Sequence, residues 1–238
     1  SDTMKITIIY GTSRKTKSST YNIAQQFIKC LSDGDVITEF FLPKSMPNFC
    51  HGCWKCFTDY TKCPDYEYLS PIVEAMLSSD LLIFTAPVYV YHVPGQVKAF
   101  LDHFGYQWMA HQPRKEMFSK QVLLISTAAG AGTKSALKDL EDSMDFWGIA
   151  KTYKFGRNTH GADWDSVEIK RKVKFEKEVI KLARIIKNKS VNVKPSLKIK
   201  VLFYAMRFMQ KKFKFNQADV KYWESLGWLD KKRPWKSN

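Results

Sequence analysis

Three short runs constrain this chain more than anything else in it: Lys5 to Tyr10 (KITIIY), Leu81 to Ala86 (LLIFTA) and Gln121 to Thr127 (QVLLIST). Each is apolar almost without interruption, rich in β-branched or aromatic residues and too short for a helix, the pattern of a strand buried on both faces. A shorter run at Thr152 to Phe155 and a weaker one at Val36 to Phe41 read the same way. Between them lie segments of helical period: Tyr21 to Leu31, Tyr68 to Leu77, Gln96 to Phe104, Thr133 to Trp147 and Ser166 to Lys187. The last places Phe175, Val179, Leu182 and Ile186 on one face at steps of 4, 3 and 4. Strand and helix alternate five times, which predicts an α/β fold with a parallel sheet covered on both sides. Such sheets bind ligands beyond the carboxyl ends of their strands, so the loops after each strand are where chemistry is expected.

After the first strand, YGTSRKTKSST (residues 10 to 20) runs straight into a helix. It supplies a turn glycine at Gly11, cations at Arg14 and Lys15, and hydroxyls at Thr12, Ser13, Ser18, Ser19 and Thr20. A helix start offers free N–H groups and the positive end of the helix dipole, which suits a phosphate. The same hydroxyls also serve as simple helix caps. There is no Walker lysine and no G-x-G-x-x-G, so a monophosphate fits better than a triphosphate or a dinucleotide. After the third strand, TAPVYVYHVPGQVKAFLDHF (residues 85 to 104) has two backbone-fixing prolines, Pro87 and Pro94, and flat faces at Tyr89, Tyr91 and His92. Lys98 and Asp102, four apart, read as a stabilising helix pair. After the fourth strand, STAAGAG (residues 126 to 132) is small enough for a ring to lie against main-chain amides.

Four of the five cysteines fall within fourteen positions, as Cys50-x2-Cys53-x2-Cys56-x6-Cys63. Thiolates this close can hold an iron-sulfur cluster, a zinc ion or a redox pair, and the spacing alone leaves all three open. Cys30, among Ile23, Phe27 and Leu31, reads as a core thiol.

These loops resemble the NADPH-dependent FMN reductase branch of the flavodoxin-like superfamily and its iron-sulfur flavoprotein relatives, over roughly residues 4 to 188. The most specific piece is APVYVYHVPGQVKAFLDHF, with its proline-x-tyrosine, glycine-x-x-lysine and terminal aspartate. The resemblance implies a flavodoxin-like three-layer sandwich of strand order 2-1-3-4-5. It implies FMN held non-covalently, with NADPH or NADH as co-substrate. Thr12, Ser13, Arg14, Ser18, Ser19 and Thr20 would then surround the FMN phosphate, the loop being one residue longer than the commonest form. Pro87, Val88, Tyr89 and Val90 would line the isoalloxazine, and Thr127, Ala128, Ala129 and Gly130 would meet its pyrimidine edge. No side chain is assigned a catalytic role, because the cofactor carries the chemistry. The cysteine run is also similar to that of relatives with a four-iron cluster, although its last gap is six residues, and Cys63 is followed by Pro64. The reaction implied is hydride transfer from NAD(P)H to FMN and on to a quinone, flavin, nitro or azo compound, or metal. The alternative is an iron-sulfur flavoprotein that carries electrons without nucleotide turnover.

The net charge of +15 is uneven: residues 191–238 carry 12 Lys or Arg against 3 acids. Two units follow, a flavin-binding domain over 1–190 and a basic helical extension over 191–238 that packs on the domain or on a dimer mate. Residues 195 to 214 place Ile199, Leu202, Met206, Met209 and Phe213 in one apolar row and Leu197, Val201, Tyr204 and Phe208 in another. Docking of one row on the chain's own domain is the plainer reading, and an in-plane membrane helix is the sharper one. Trp223 and Trp228 read as anchors by burial. No nucleic-acid motif accompanies the basic charge, so no nucleic-acid partner is expected. No run reaches the ~20 apolar residues of a spanning helix, and the start lacks a signal pattern. These features suggest a cytoplasmic protein, a homodimer or homotetramer, with Ser1-Asp2-Thr3 ahead of Met4 read as a cloning remnant.

Overall fold

The computed structural model describes residues 4–32, 36–190 and 193–236; the reading of Ser1 to Thr3 lies outside them. Five strands form one parallel sheet: β1 (Ile6–Tyr10), β2 (Ile37–Phe41), β3 (Leu81–Thr85), β4 (Gln121–Ala128) and β5 (Lys151–Asn158). Their order is β2-β1-β3-β4-β5, as expected, with Ile6 level with both Ile37 and Leu81. The fold is therefore the flavodoxin-like α/β sandwich. Because strand side chains alternate, β1, β3 and β4 each feed two cores. Ile6, Ile8, Tyr10, Leu81, Ile83, Leu123 and Ile125 face α1 (Ser19–Leu31) and α5 (Ile169–Asn188). Ile9, Leu82, Phe84, Val122 and Leu124 face α2 (Tyr66–Ser78), α3 (Gly95–Asp102) and α4 (Thr133–Trp147).

Most boundaries fall within about two residues of expectation, as helix and strand ends do, and the two that depart further do so for identifiable reasons. β5 extends past Phe155 to Asn158, because an edge strand tolerates Lys154, Arg157 and Asn158, which hide its period. α5 starts at Ile169 rather than near Ser166, since Asp163 and Ser166 close their own turn: the Ser166 N–H donates to Asp163 Oδ1 at 2.9 Å and the Asp163 N–H to Ser166 Oγ at 3.2 Å. Cys30 is only half-buried, packed at the margin of the α1 core rather than inside it.

The extension forms α6 (Leu197–Lys212) and α7 (Gln217–Ser225). Ser196 caps α6 and its backbone N–H donates to Ala150 O at 3.0 Å, just ahead of β5. Ile199, Phe203, Val220, Trp223, Trp228 and Leu229 bury themselves against Met109 and Phe118, from the stretch that leads into β4. Phe203 stacks on Trp223 at 5.0 Å between ring centres, and Trp223 Nε1–H donates to His111 O at 2.7 Å. The docked row thus runs through Ile199, Phe203, Met206 and Gln210, whereas Met209 and Phe213 face outward. Phe203 belongs to neither row expected from the sequence. The extension sits at the amino ends of β4 and β5, away from the strand carboxyl ends. No helix of the described residues is long and apolar enough to cross a membrane.

Candidate functional site

At the carboxyl end of β1 the chain passes so close to β3 that a Cβ on Gly11 would lie 2.2 Å from Thr85 O. Only glycine permits that approach, and two hydrogen bonds hold it: the Gly11 N–H donates to Thr85 Oγ1 at 3.1 Å, and Gln96 Nε2 donates to Gly11 O at 3.0 Å. A 3-10 turn over Lys15–Lys17 leads into α1. Ser18 becomes the N-cap, accepting from the Tyr21 N–H at 3.4 Å, and its hydroxyl meets that of Thr20 at 2.9 Å. Thr12, Ser18, Ser19 and Thr20 are all buried, and the first turn of α1 holds no acid. Four recessed hydroxyls at the positive end of a helix form a cradle for an anion. Ser13 points elsewhere, donating to Leu42 O at 2.9 Å and so tying this loop to the end of β2. Arg14 lies exposed, and Lys15 sits over the Phe41 ring at 5.1 Å.

The loop after β3 is pinned at both ends. The Val88 N–H donates to Thr127 O at 2.9 Å, so this loop runs beside the end of β4. Tyr89 and His92 exchange backbone hydrogen bonds of 3.0 and 3.2 Å around Val90 and Tyr91, whose φ angles are +45° and +72°. That is a two-residue turn of the kind that ordinarily takes Asn-Gly, and a β-branched residue there costs about 1–3 kcal/mol. Asp139 of α4 restrains it, facing His92 Nδ1 at 2.9 Å and accepting from the Val93 N–H at 3.2 Å. Gly132, at φ +107°, lets the next loop pass beneath, since a Cβ would come within 2.7 Å of Val88 Cγ1. Val90 is 96% exposed at the tip of this turn. Lys98 and Asp102 form the expected ion pair on α3.

After β4, Thr127 and Ala128 are buried while Ala129 and Gly130 are bare, with nothing within 4 Å of the Cβ position at Gly130. The loop after β5 closes this side: the Thr159 N–H donates to Ala128 O at 2.8 Å, the His160 N–H to Ala129 O at 3.1 Å and the Trp164 N–H to Lys17 O at 3.0 Å. Thr85, Gln96, Asp139, Thr159 and Trp164 were not singled out from the sequence. Each acts through a partner from 31 to 147 positions away, or through its own backbone, so no local pattern marks it.

The four clustered cysteines line one small pocket of about 80 Å³, together with His51, Trp54, Asp65, Asp102 and His103. Cys50 and Cys53 are exposed; Cys56 and Cys63 are half-buried, and all four are unpaired thiols. Burial, reinforced by the neighbouring thiols, pushes Cys56 up to about 11. Burial also raises Cys63. At the pocket wall Asp65 is clamped by Asn48 Nδ2 at 2.7 Å and His103 Nε2 at 2.8 Å, and His103 Nδ1 faces Ala99 O at 2.7 Å. Among the described residues no group of three or more His, Cys, Asp or Glu side chains is arranged to hold a metal ion.

The sequence model of the NADPH-dependent FMN reductase family matches residues 4–154, which include both the hydroxyl cradle and the bare edge after β4. A curated relative, the FMN-dependent NADH:quinone oxidoreductase 2 of Xanthomonas euvesicatoria pv. vesicatoria (strain 85-10), is 29% identical over 90 residues. That match covers 36% of this chain and 40% of the relative, so less than half of the relative's length is spanned. Among solved structures, an FMN-dependent NADH-azoreductase from Bacillus anthracis str. Ames Ancestor in complex with FMN is similar at TM-score 0.56 and 14% identity, over 77% of this chain and 99% of that one. An NAD(P)H:quinone oxidoreductase from Methanothermobacter marburgensis is similar at TM-score 0.56 and 15% identity, over 79% and 97%. At these identities the structural likeness speaks for the fold.

Proposed function

The chain belongs to the NADPH-dependent FMN reductase family, and from that membership we propose that it is an FMN-dependent NAD(P)H oxidoreductase acting on a quinone or azo type of acceptor. The observation that carries the reading is the recessed hydroxyl cradle at the start of α1, placed beside a bare main-chain edge and a proline shelf. These residues fit FMN: an acid-free helix start suits its phosphate, and the open edge at Ala129 and Gly130 suits a polar ring rim. Bound there, FMN would supply two-electron chemistry, taking a hydride from the nicotinamide and passing electrons to the acceptor. Thr12, Ser18, Ser19 and Thr20 would hold the phosphate through their hydroxyls, with the backbone N–H groups of Ser19 and Thr20 at the helix start beside them; the Ser18 N–H is already donated to Lys15 O at 2.7 Å. Arg14 adds a solvent-facing charge, and Ser13 positions the loop through Leu42. Pro87 to Tyr89 support one side of the ring, the Thr127 to Gly130 backbone meets its pyrimidine edge, and Val90 stands at the mouth, where it shields the ring from water. Residues 1–190 form the flavin domain in this reading, and residues 191–238 an extension docked on it.

A second reading rests on the cysteine pocket. Four thiols around one cavity match the composition of a four-iron cluster site, which would make the chain an electron carrier. NADH and NADPH oxidation with a soluble quinone or an azo dye separates the two readings. Turnover supports the reductase, and no turnover with either nucleotide by FMN-loaded chain refutes it. Iron and acid-labile sulfide on anaerobically purified chain decide the second reading, with about four of each expected if a cluster is held and none if the pocket is a thiol-rich wall. A cytoplasmic setting and assembly into two or four copies belong to the same proposal. Light scattering tests the assembly.

A further inference from the structure

α6 presents two opposite faces. Ile199, Phe203 and Gln210 are buried against the domain, with Leu202 and Met206 at their margins. On the far side Leu197, Val201, Tyr204 and Phe208 follow one another at steps of 4, 3 and 4, a continuous row along a helix about 24 Å long. This row is solvent-exposed: Leu197 is 77% accessible, Val201 59% and Phe208 57%. Phe213 and Phe215 extend it past the helix end with rings stacked at 5.4 Å, and Phe215 is 81% accessible. A contiguous exposed apolar stretch rimmed by polar residues marks an interaction surface, unlike apolar residues scattered singly.

The charge around the row is one-sided. From Val193 to Ala218 the chain carries seven Lys or Arg and no acid. Lys200 and Lys211 border the row along one side, and Lys212 lies over the Phe208 and Phe213 rings, 5.4 Å from each. Lys198, on the other border, is already committed to Glu141 and Asp145 of α4. Arg233 covers Tyr204 at 5.1 Å, adding a further cation to the same face. A second copy of this chain would bring the same uncompensated cations against these, on a molecule of net charge +15. A surface that is apolar at its centre, basic at its rim and anionic-seeking is complementary to a negatively charged lipid bilayer. No helix of the described residues is long and apolar enough to cross a bilayer, and α6 offers its row along its length, so the contact argued for is in the plane of the interface.

We propose that the outer face of α6, with Phe213 and Phe215, docks this protein on the surface of an anionic membrane. The aromatic and aliphatic row enters the headgroup boundary while Lys200, Lys211, Lys212 and Lys214 stay at the phosphate level. The surface lies at the amino ends of β4 and β5, so docking leaves the strand carboxyl ends facing away from the lipid.

The test is co-sedimentation of the full-length chain with vesicles of phosphatidylglycerol and phosphatidylcholine, against vesicles of phosphatidylcholine alone. Binding to the anionic vesicles that weakens with added salt is expected. The double variant Val201→Glu/Phe208→Glu, changed only at exposed positions, should lose about tenfold or more of that binding while keeping the wild-type thermal transition. The milder Lys211→Gln/Lys212→Gln should lower binding and flatten its salt dependence. Failure of the wild type to sediment with anionic vesicles, or equal binding by wild type and Val201→Glu/Phe208→Glu, would overturn the proposal. So would light scattering that finds the wild type self-associated through this face and the double variant monomeric, with neither bound to lipid.

Discussion

Gly11→Ala should separate the geometry of the phosphate loop from its chemistry. An alanine Cβ would sit 2.2 Å from Thr85 O, 2.9 Å from Val97 Cγ2 and 3.2 Å from Ala86 Cα. The first contact involves backbone of a central strand end, so relief requires β1 and its loop to retreat by about 1 Å, the gap to an ordinary contact distance. Overpacking of that kind costs about 1–3 kcal/mol. The retreat also loosens the Gly11–Thr85 and Gln96–Gly11 hydrogen bonds, each worth about 0.5–1.5 kcal/mol. Together these give roughly 2–6 kcal/mol, or a fall in Tm of roughly 5–20 °C for a chain of this size. Gly130→Ala is the contrast, because nothing lies within 4 Å of its Cβ. Circular-dichroism melting and FMN titration by fluorescence quenching should show Gly11→Ala losing both stability and flavin affinity. Gly130→Ala should keep its Tm and lose affinity only. A Gly11→Ala chain that melts within 2 °C or so of wild type would refute the strand-end approach on which the cradle depends.

Thr20→Val, nearly isosteric at a buried position, should weaken FMN by about 10- to 100-fold through loss of one hydrogen bond to a charged group, and leave riboflavin binding unchanged. Lys120 is buried with its ammonium donating to Leu77 O at 2.7 Å and to Ser79 O, and burial lowers it to about 8. Between pH 8 and 10.5 the unfolded chain therefore still holds a proton that the folded chain has released, so stability rises with pH in that window and is flat below it. Relative to Lys120→Met, denaturant titration should show the wild type gaining on the order of 2–3 kcal/mol across the window, and a loss would contradict the sign. In iron-free chain, iodoacetamide followed by peptide mass mapping should label the exposed Cys50 and Cys53 ahead of the half-buried Cys56 and Cys63; simultaneous labelling would mean that the pocket opens.

The sheet was legible because β1, β3 and β4 are buried on both faces, which leaves an uninterrupted apolar run and no other use for it. β5 was half legible, since an edge strand can spend alternate positions on lysine and arginine. The phosphate loop could be read from its hydroxyls, but their division could not. That Ser18 caps α1 while Ser13 binds Leu42 depends on how a 3-10 turn spends the residues between them. Asp139, which restrains the Val90 turn, sits 46 positions from Val93 and is indistinguishable in sequence from any surface acid on α4. For α6, periodicity found two apolar rows, yet the side that docks is fixed by Phe203 meeting Trp223 and Trp228, a contact no local period encodes.

The central claim is that FMN binds at the carboxyl ends of β1, β3 and β4, with its phosphate at the start of α1. Its most direct test is an anaerobic titration of flavin-free chain with FMN and, separately, with riboflavin, followed by addition of NADPH or NADH. The account predicts one FMN per chain, riboflavin weaker by at least tenfold, and bleaching of the bound flavin by one of the nucleotides. FMN bound no better than riboflavin would contradict the cradle, and no flavin binding at all would contradict the account.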